Sequence, residues 1–272
     1  MNKNRINNII IESIKNDLPN SFGKIGGIEA SHVSHYLRTG IAEYVRQDTL
    51  ATNAGIYTRN KNELMMWCEL YSQAVKNLDY VLEWTPDQGD QYVIDKIWKG
   101  KEKFYLFDEI EPFDKKQEGW HYFLNDKKIL VVSPFEKTIT LQANKFDKIW
   151  EGAKIKDIIT VKSPFPAILT GEEPKSFLYV LNDLQNKISK YSFDFAIVGC
   201  GGFSLMLLNF IKNMGKPSLH LGGSTQTLFG IRGKRWDSNF CDKDWYGTEH
   251  WIRPLEEETP INKNLVENGC YW

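Results

Sequence analysis

This 272-residue chain is short of cysteine, of any charge bias and of long apolar runs, and each shortage removes a class of protein. Its four cysteines, Cys68, Cys200, Cys241 and Cys270, form no C-x-x-C pair and no zinc-ligand spacing. That excludes a disulfide-built scaffold and a zinc finger, and fits free thiols in a reducing compartment. A formal net charge of −1 gives no general drive toward nucleic acid or an anionic membrane, so any anion site has to be local. No stretch approaches the roughly 18 apolar residues of a membrane span. The N-terminal "MNKNRINNIIIESIKNDLP" has an apolar run of only three residues, with Glu12 and Asp17 where a signal peptide would be apolar. We therefore expect a cytoplasmic protein with no membrane span and no nucleic-acid partner, at most peripheral to the inner face of the membrane.

What is present is the ordinary mixture of a soluble globular domain, 42% hydrophobic and 25% charged. Ile6, Ile9, Ile10 and Ile14 recur at helical spacing and Pro19 stops them, which predicts a first amphipathic helix. "SFGKIGG" reads as a strand entering a glycine turn and "IEASHVSHYLRTG" as the helix behind it. A helix from Asn62 to about Leu78 precedes a strand at "DYVLEW", and residues 86 to 126 read as short helices and loop. From Lys127 the pattern sharpens into strands "KKILVVSPF", "KDIITVKSPFP", "FDFAIVGCGG" and "PSLHLGG", alternating with helices. Continuous apolar strands separated by helices of this length predict an α/β fold: a Rossmann-like, doubly wound, mainly parallel sheet with helices on both faces. Residues 1–240 are read as a single domain, its Rossmann-like half starting near 127, and 241–272 as an aromatic-rich tail packing on the body. That tail carries Trp245, Trp251 and Trp272.

Ligands of open α/β sheets bind beyond the carboxyl ends of the strands, which here brings four loops to one edge. They are "GGIE" with Gly26, Gly27 and Glu29, "SPFEKT" opening at Ser133, "GCGGFS" with Gly201 and Gly202, and "HLGGSTQT" with His220, Gly222, Gly223, Ser224 and Gln226. "GCGGFS" lacks the last glycine of a dinucleotide fingerprint, so it is either a tight turn or an amide cradle. No Walker A lysine is present, and no serine stands in a G-x-S-x-G elbow. Ser224 or Thr225 is placed to cap the helix after the Gly-Gly pair. Arg232, Lys234 and Arg235 can grip phosphate oxygens and Trp236 can stack on a base or sugar, unless the segment is a solvated basic loop around a core tryptophan. Glu29, His32 and His35 lie at helical spacing, either as a metal face or as polar surface and satisfied core groups. "DEIEPFD", with Glu111 before Pro112, reads as a solvated loop.

The succession "EPF", "KKILVVSPFEKTITLQ", "GCGGFS" and "HLGGSTQTLFGIRGKRW" resembles a group of uncharacterised proteins encoded in bacterial polysaccharide biosynthesis loci, itself similar to the GT-D-type glycosyltransferases. The resemblance spans roughly residues 20 to 240. It implies a Rossmann-like transferase that uses a nucleotide-sugar donor and a glycan or glycolipid acceptor in surface polysaccharide biosynthesis. The GT-D pattern is a basic residue, an apolar residue, then Gly-Asp-Gly-Glu, whose Asp and Glu hold a metal. In "KIGGIE" Glu29 falls on the Glu while Gly27 stands where the Asp would be. Glu29 is thus expected as catalytic base or residual ligand of Mn²⁺ or Mg²⁺, with the cations at 232 to 235 neutralising the leaving phosphate instead of the metal. Loss of the Asp leaves open a non-catalytic nucleotide-sugar or glycan-binding protein of the same fold. A phosphate-handling hydrolase would need a nucleophile that the sequence does not offer.

Overall fold

The structure is a computed structural model, and it describes residues 5–45, 49–84, 90–98, 105–111 and 119–272. Seven strands form one sheet: β1 (Ser21–Lys24), β2 (Tyr80–Glu83), β3 (Tyr105–Leu106), β4 (Lys128–Ser133), β5 (Asp157–Lys162), β6 (Phe195–Val198) and β7 (Ser218–His220). The order across the sheet is β3-β2-β1-β7-β6-β4-β5, and every pairing is parallel. The fold is α/β and Rossmann-like. The sheet extends beyond the C-terminal half, because β1 pairs with β7 in the register Phe22↔Leu219 and carries β2 and β3 into the same layer.

The helices are α1 (Arg5–Asn16), α2 (Gly27–Thr39), α3 (Thr49–Thr52), α4 (Lys61–Asn77), α5 (Asp90–Ile97), α6 (Glu136–Ala143), α7 (Phe146–Ile149), α8 (Ala167–Thr170), α9 (Phe177–Ile188), α10 (Ser204–Asn213), α11 (Ser224–Leu228) and α12 (Lys234–Phe240). Side chains alternate across a strand, so β4 sends Leu130 and Val132 to one face and Ile129 and Val131 to the other. The first pair packs with Val33 of α2, Trp67 of α4, Leu184 of α9 and Leu207 of α10. The second packs with Ile10 of α1, Ile139 of α6 and Phe146 of α7. Burial of both faces is why these strands read as unbroken apolar runs.

Local chemistry sets the helix ends. Asn60 caps α4 by accepting from the Glu63 N–H at 3.1 Å, while the Glu63 carboxylate accepts from the Arg59 N–H at 2.7 Å. In the stretch 86 to 126, the described part holds α5, β3 and two 3₁₀ turns, at Phe107–Glu109 and Trp120–Phe123. The turn signals do not predict β3, because a two-residue strand is too short to show a period. Pro112 and Asp114 lie outside the described residues. No described helix is long and apolar enough to cross a membrane.

The segment after Asp237 is built into the second core, where Trp245, Trp251 and Trp272 are buried. Glu258 reaches back to the start of α6 and accepts from the Lys137 and Thr138 N–H groups at 2.7 and 2.9 Å and from the Thr138 hydroxyl. A buried carboxylate there satisfies amides that have no partner within the helix.

Candidate active site

The carboxyl ends of six strands, all but β3, open onto a cavity of about 580 Å³. Lys24 and residues 26–29 follow β1, Trp84 follows β2, and Ser133 to Phe135 and Ser163 to Pro166 follow β4 and β5. Gly199 to Gly201 follow β6, and His220, Gly222 and Gly223 follow β7. The loop 52–55 and Arg235, Glu267, Tyr271 and Trp272 close the remaining sides. "GGIE" and "GGSTQT" meet because β1 and β7 are neighbours, and His220 Nδ1–H donates to the Lys24 carbonyl oxygen at 3.0 Å.

Two glycines owe their identity to backbone shape. Gly222 has φ +58, and a Cβ there would stand 2.9 Å from Lys24 Cε and 3.1 Å from Nζ. Gly201 has φ +57, and its Cβ would stand 2.5 Å from the Ala54 carbonyl oxygen. Both need a left-handed backbone and the missing side chain. Gly202 does not line the cavity, because it packs on Ile56, where a Cβ would be 2.5 Å from Cγ1.

The β1 side carries the strongest electrostatics. Lys24 is buried, with Nζ 4.0 Å from the centre of the Trp84 ring and 4.1 Å from that of Phe107. Burial lowers its pKa to about 8, against the pull of the Glu111 and Glu29 carboxylates, and Arg235 lowers it further. Glu29, in the first turn of α2, is buried and folded back over Gly26. Burial raises its pKa, while its own backbone N–H and the Lys24 charge act in the opposite direction. His220 is pushed down to about 3 by burial and by Lys24, so it is a neutral imidazole with its proton on Nδ1.

Of the cations expected at 232 to 235, the fold brings only Arg235 to the cavity. Its guanidinium pairs with the Glu267 carboxylate and lies 4.9 Å from the Tyr271 ring centre. Arg232, in the segment before α12, turns to Asp237 at 3.2 Å, and Lys234, the first residue of α12, donates to the Asn268 carbonyl at 3.1 Å, so neither faces the strand ends. Trp236 is buried against Tyr271 and backs Gly223, so the stacking role expected for it falls to no exposed face of that ring. Ser224 does not cap α11, whose N-cap is Gly223 without a side-chain bond; its hydroxyl donates to Glu111 instead.

Sequence reasoning missed Lys24, Trp84, Tyr271 and Trp272 as cavity walls. Only Lys24 had a signal, as the basic residue opening "KIGGIE". Three side-chain oxygens of cavity-lining residues are buried without a hydrogen-bond partner: Ser163 Oγ, Thr225 Oγ1 and Gln226 Oε1. The Gln226 amide orientation is dictated by its Nε2, which donates to the carbonyls of Ile231, Arg232 and Tyr271 at 3.4, 3.2 and 3.0 Å. Cys200, also on the wall, is pushed up to about 12 by burial and is therefore a thiol at neutral pH rather than a nucleophilic thiolate.

The donor set for a divalent cation is poor. Mn²⁺ or Mg²⁺ bridging a diphosphate wants carboxylate oxygens, and the Glu29 carboxylate already has the Lys24 ammonium acting on it. His32 is buried edge-on to Trp67 with Nδ1 2.8 Å from the Ile28 carbonyl oxygen, and His35 pairs with Glu43 at 3.6 Å, so neither joins Glu29. Among the described residues no three His, Cys, Asp or Glu side chains converge on a metal position. The described residues do not fit such a metal.

Neither a protein-family profile nor a curated protein sequence matches the chain. Among solved structures it is similar to a selenomethionine-substituted domain of unknown function 1792, at 12% identity and a TM-score of 0.48, over 92% of this chain and 90% of that one.

Proposed function

We propose that the chain is a glycosyltransferase that moves a sugar from a nucleotide-sugar donor to a hydroxyl of a glycan or glycolipid acceptor in bacterial surface polysaccharide biosynthesis. The observation that carries this reading is a buried carboxyl of raised pKa, Glu29, on the same cavity as Arg235 and the β7 glycine turn. Transfer needs both halves. The acceptor oxygen attacks the anomeric carbon, Glu29 takes the hydroxyl proton, and the bond from that carbon to the diphosphate breaks with its electron pair leaving on the phosphate. Arg235 and the amides at Gly222 and Gly223 stabilise that charge. The sequence resemblance supports the same reaction.

A second reading, a nucleotide-sugar or glycan-binding protein without turnover, is favoured by Gly27. A panel of nucleotide sugars separates the two. A transferase releases nucleoside diphosphate when an acceptor is supplied, and a binder shifts its melting temperature with ligand but releases none. No release and no shift with any donor would end both readings.

A further inference from the structure

We infer that the Lys24 ammonium is the seat of the ligand's anionic group and acts in place of a divalent cation, so that anion binding in this cavity needs no metal. The identity of that anion as a diphosphate rests on the proposed transfer reaction; the anion seat itself does not.

Lys24 is nine-tenths buried and lines the cavity. The ammonium has three N–H donors, and Nζ keeps access to the cavity, where a ligand can meet them. Among the described residues no carboxylate lies within 4.0 Å of Nζ and no oxygen accepts from it. Glu29 and Glu111 act on it only through space. Its close neighbours are the faces of Trp84 and Phe107, which attract a cation but accept no strong hydrogen bond. A lysine with a purely structural task would reach a carbonyl or a carboxylate, as Lys212 does with Asn77 and Asp79 at 2.8 Å.

The surroundings leave room for an anion beside it. Gly222 bares the end of β7 against Nζ, in a conformation that a side chain would both strain and block. Arg235 stands close enough to lower the Lys24 pKa, so two positive groups act in one cavity. That pairing suits a ligand with more than one negative charge.

The test is titration calorimetry on the full chain with inorganic pyrophosphate and with UDP, each in EDTA and in Mn²⁺. Wild type is expected to bind in EDTA with a Kd that Mn²⁺ changes by no more than about twofold. Lys24→Met, which keeps an unbranched apolar chain between the two rings, is expected to lose about 30-fold or more, and Lys24→Arg to keep part of the affinity. A Kd that tightens tenfold with Mn²⁺, or a Lys24→Met protein that binds like wild type, overturns the inference. Should Lys24→Met not fold, reductive methylation of the wild-type protein decides. Pyrophosphate in EDTA is expected to protect Lys24, read by peptide mass, and unchanged labelling overturns the seat. Binding of pyrophosphate without UDP keeps the anion seat and removes the nucleotide donor. Lys24-independent binding of UDP does the reverse, and binding of neither removes both.

Discussion

Replacing Arg235 with Ala removes the one cation that α12 delivers to the cavity. A charge-assisted hydrogen bond to a phosphate oxygen is worth about 1.5–3 kcal/mol, equivalent to roughly a 10- to 100-fold rise in Kd. The lower end is expected, because the free protein already pairs Arg235 with Glu267 and a ligand has to share that guanidinium. The sequence alone suggests a loop residue whose loss leaves stability unchanged, and the packing argues otherwise. Arg235 lies over the rings of Tyr271 and Trp236, at 4.9 and 5.7 Å from their centres. Each contact is worth about 0.5–1 kcal/mol when partly exposed, and the Glu267 pair adds about 0–1 kcal/mol. The variant should therefore lose about 1–3 kcal/mol of folding stability, read by urea denaturation, alongside its binding defect, read by calorimetry with a nucleoside diphosphate at moderate salt. Arg235→Lys keeps a charge and loses the planar fork, so it should fall between the two. An Arg235→Ala protein that binds as tightly as wild type would refute the placement of phosphate at this end of the cavity.

Glu29→Gln keeps the shape and removes the base, so turnover should fall by about 10²- to 10⁴-fold while donor Kd changes little; a loss confined to donor affinity would strip Glu29 of its role. Because Lys24 titrates near 8 when folded and near 10.5 when unfolded, the unfolded chain holds the extra proton between those values. Stability should therefore rise with pH across that window, while pyrophosphate binding should weaken above about pH 8 as the ammonium facing Glu29, Glu111, Arg235 and His220 is lost. Urea midpoints and titrations at pH 7 and 9.5 that do not move in these opposite senses would contradict the burial of this charge. Gly201→Ala forces a left-handed alanine against the Ala54 carbonyl and should cost about 2 kcal/mol or more by urea denaturation. Glu258→Ala uncaps α6 and should cost about 1–2 kcal/mol by the same measure, with an unchanged midpoint counting against the tail as a brace.

The sequence by itself determined the parallel α/β sheet, because strands buried on both faces must be apolar throughout and the intervening helices have to be amphipathic. "KILVVS", "FAIV" and the helix "FLYVLNDLQNKI" carry that pattern within single segments. It also located the strand-end loops, since Gly-Gly pairs and Ser-Pro turns mark where a strand stops. Which side chains those loops turn inward was a tertiary matter. Arg232, Lys234 and Arg235 read alike as a cationic run, yet the course of α12 and the Asp237, Asn268 and Glu267 partners send only the last to the cavity. Lys24 reads as an ordinary strand-end lysine until β1 is set beside β7 and the rings of Trp84 and Phe107, brought from 60 and 83 residues away, close over it. A charge is made functional by what surrounds it, and neighbours that far apart in the chain become neighbours only once the sheet has ordered its strands.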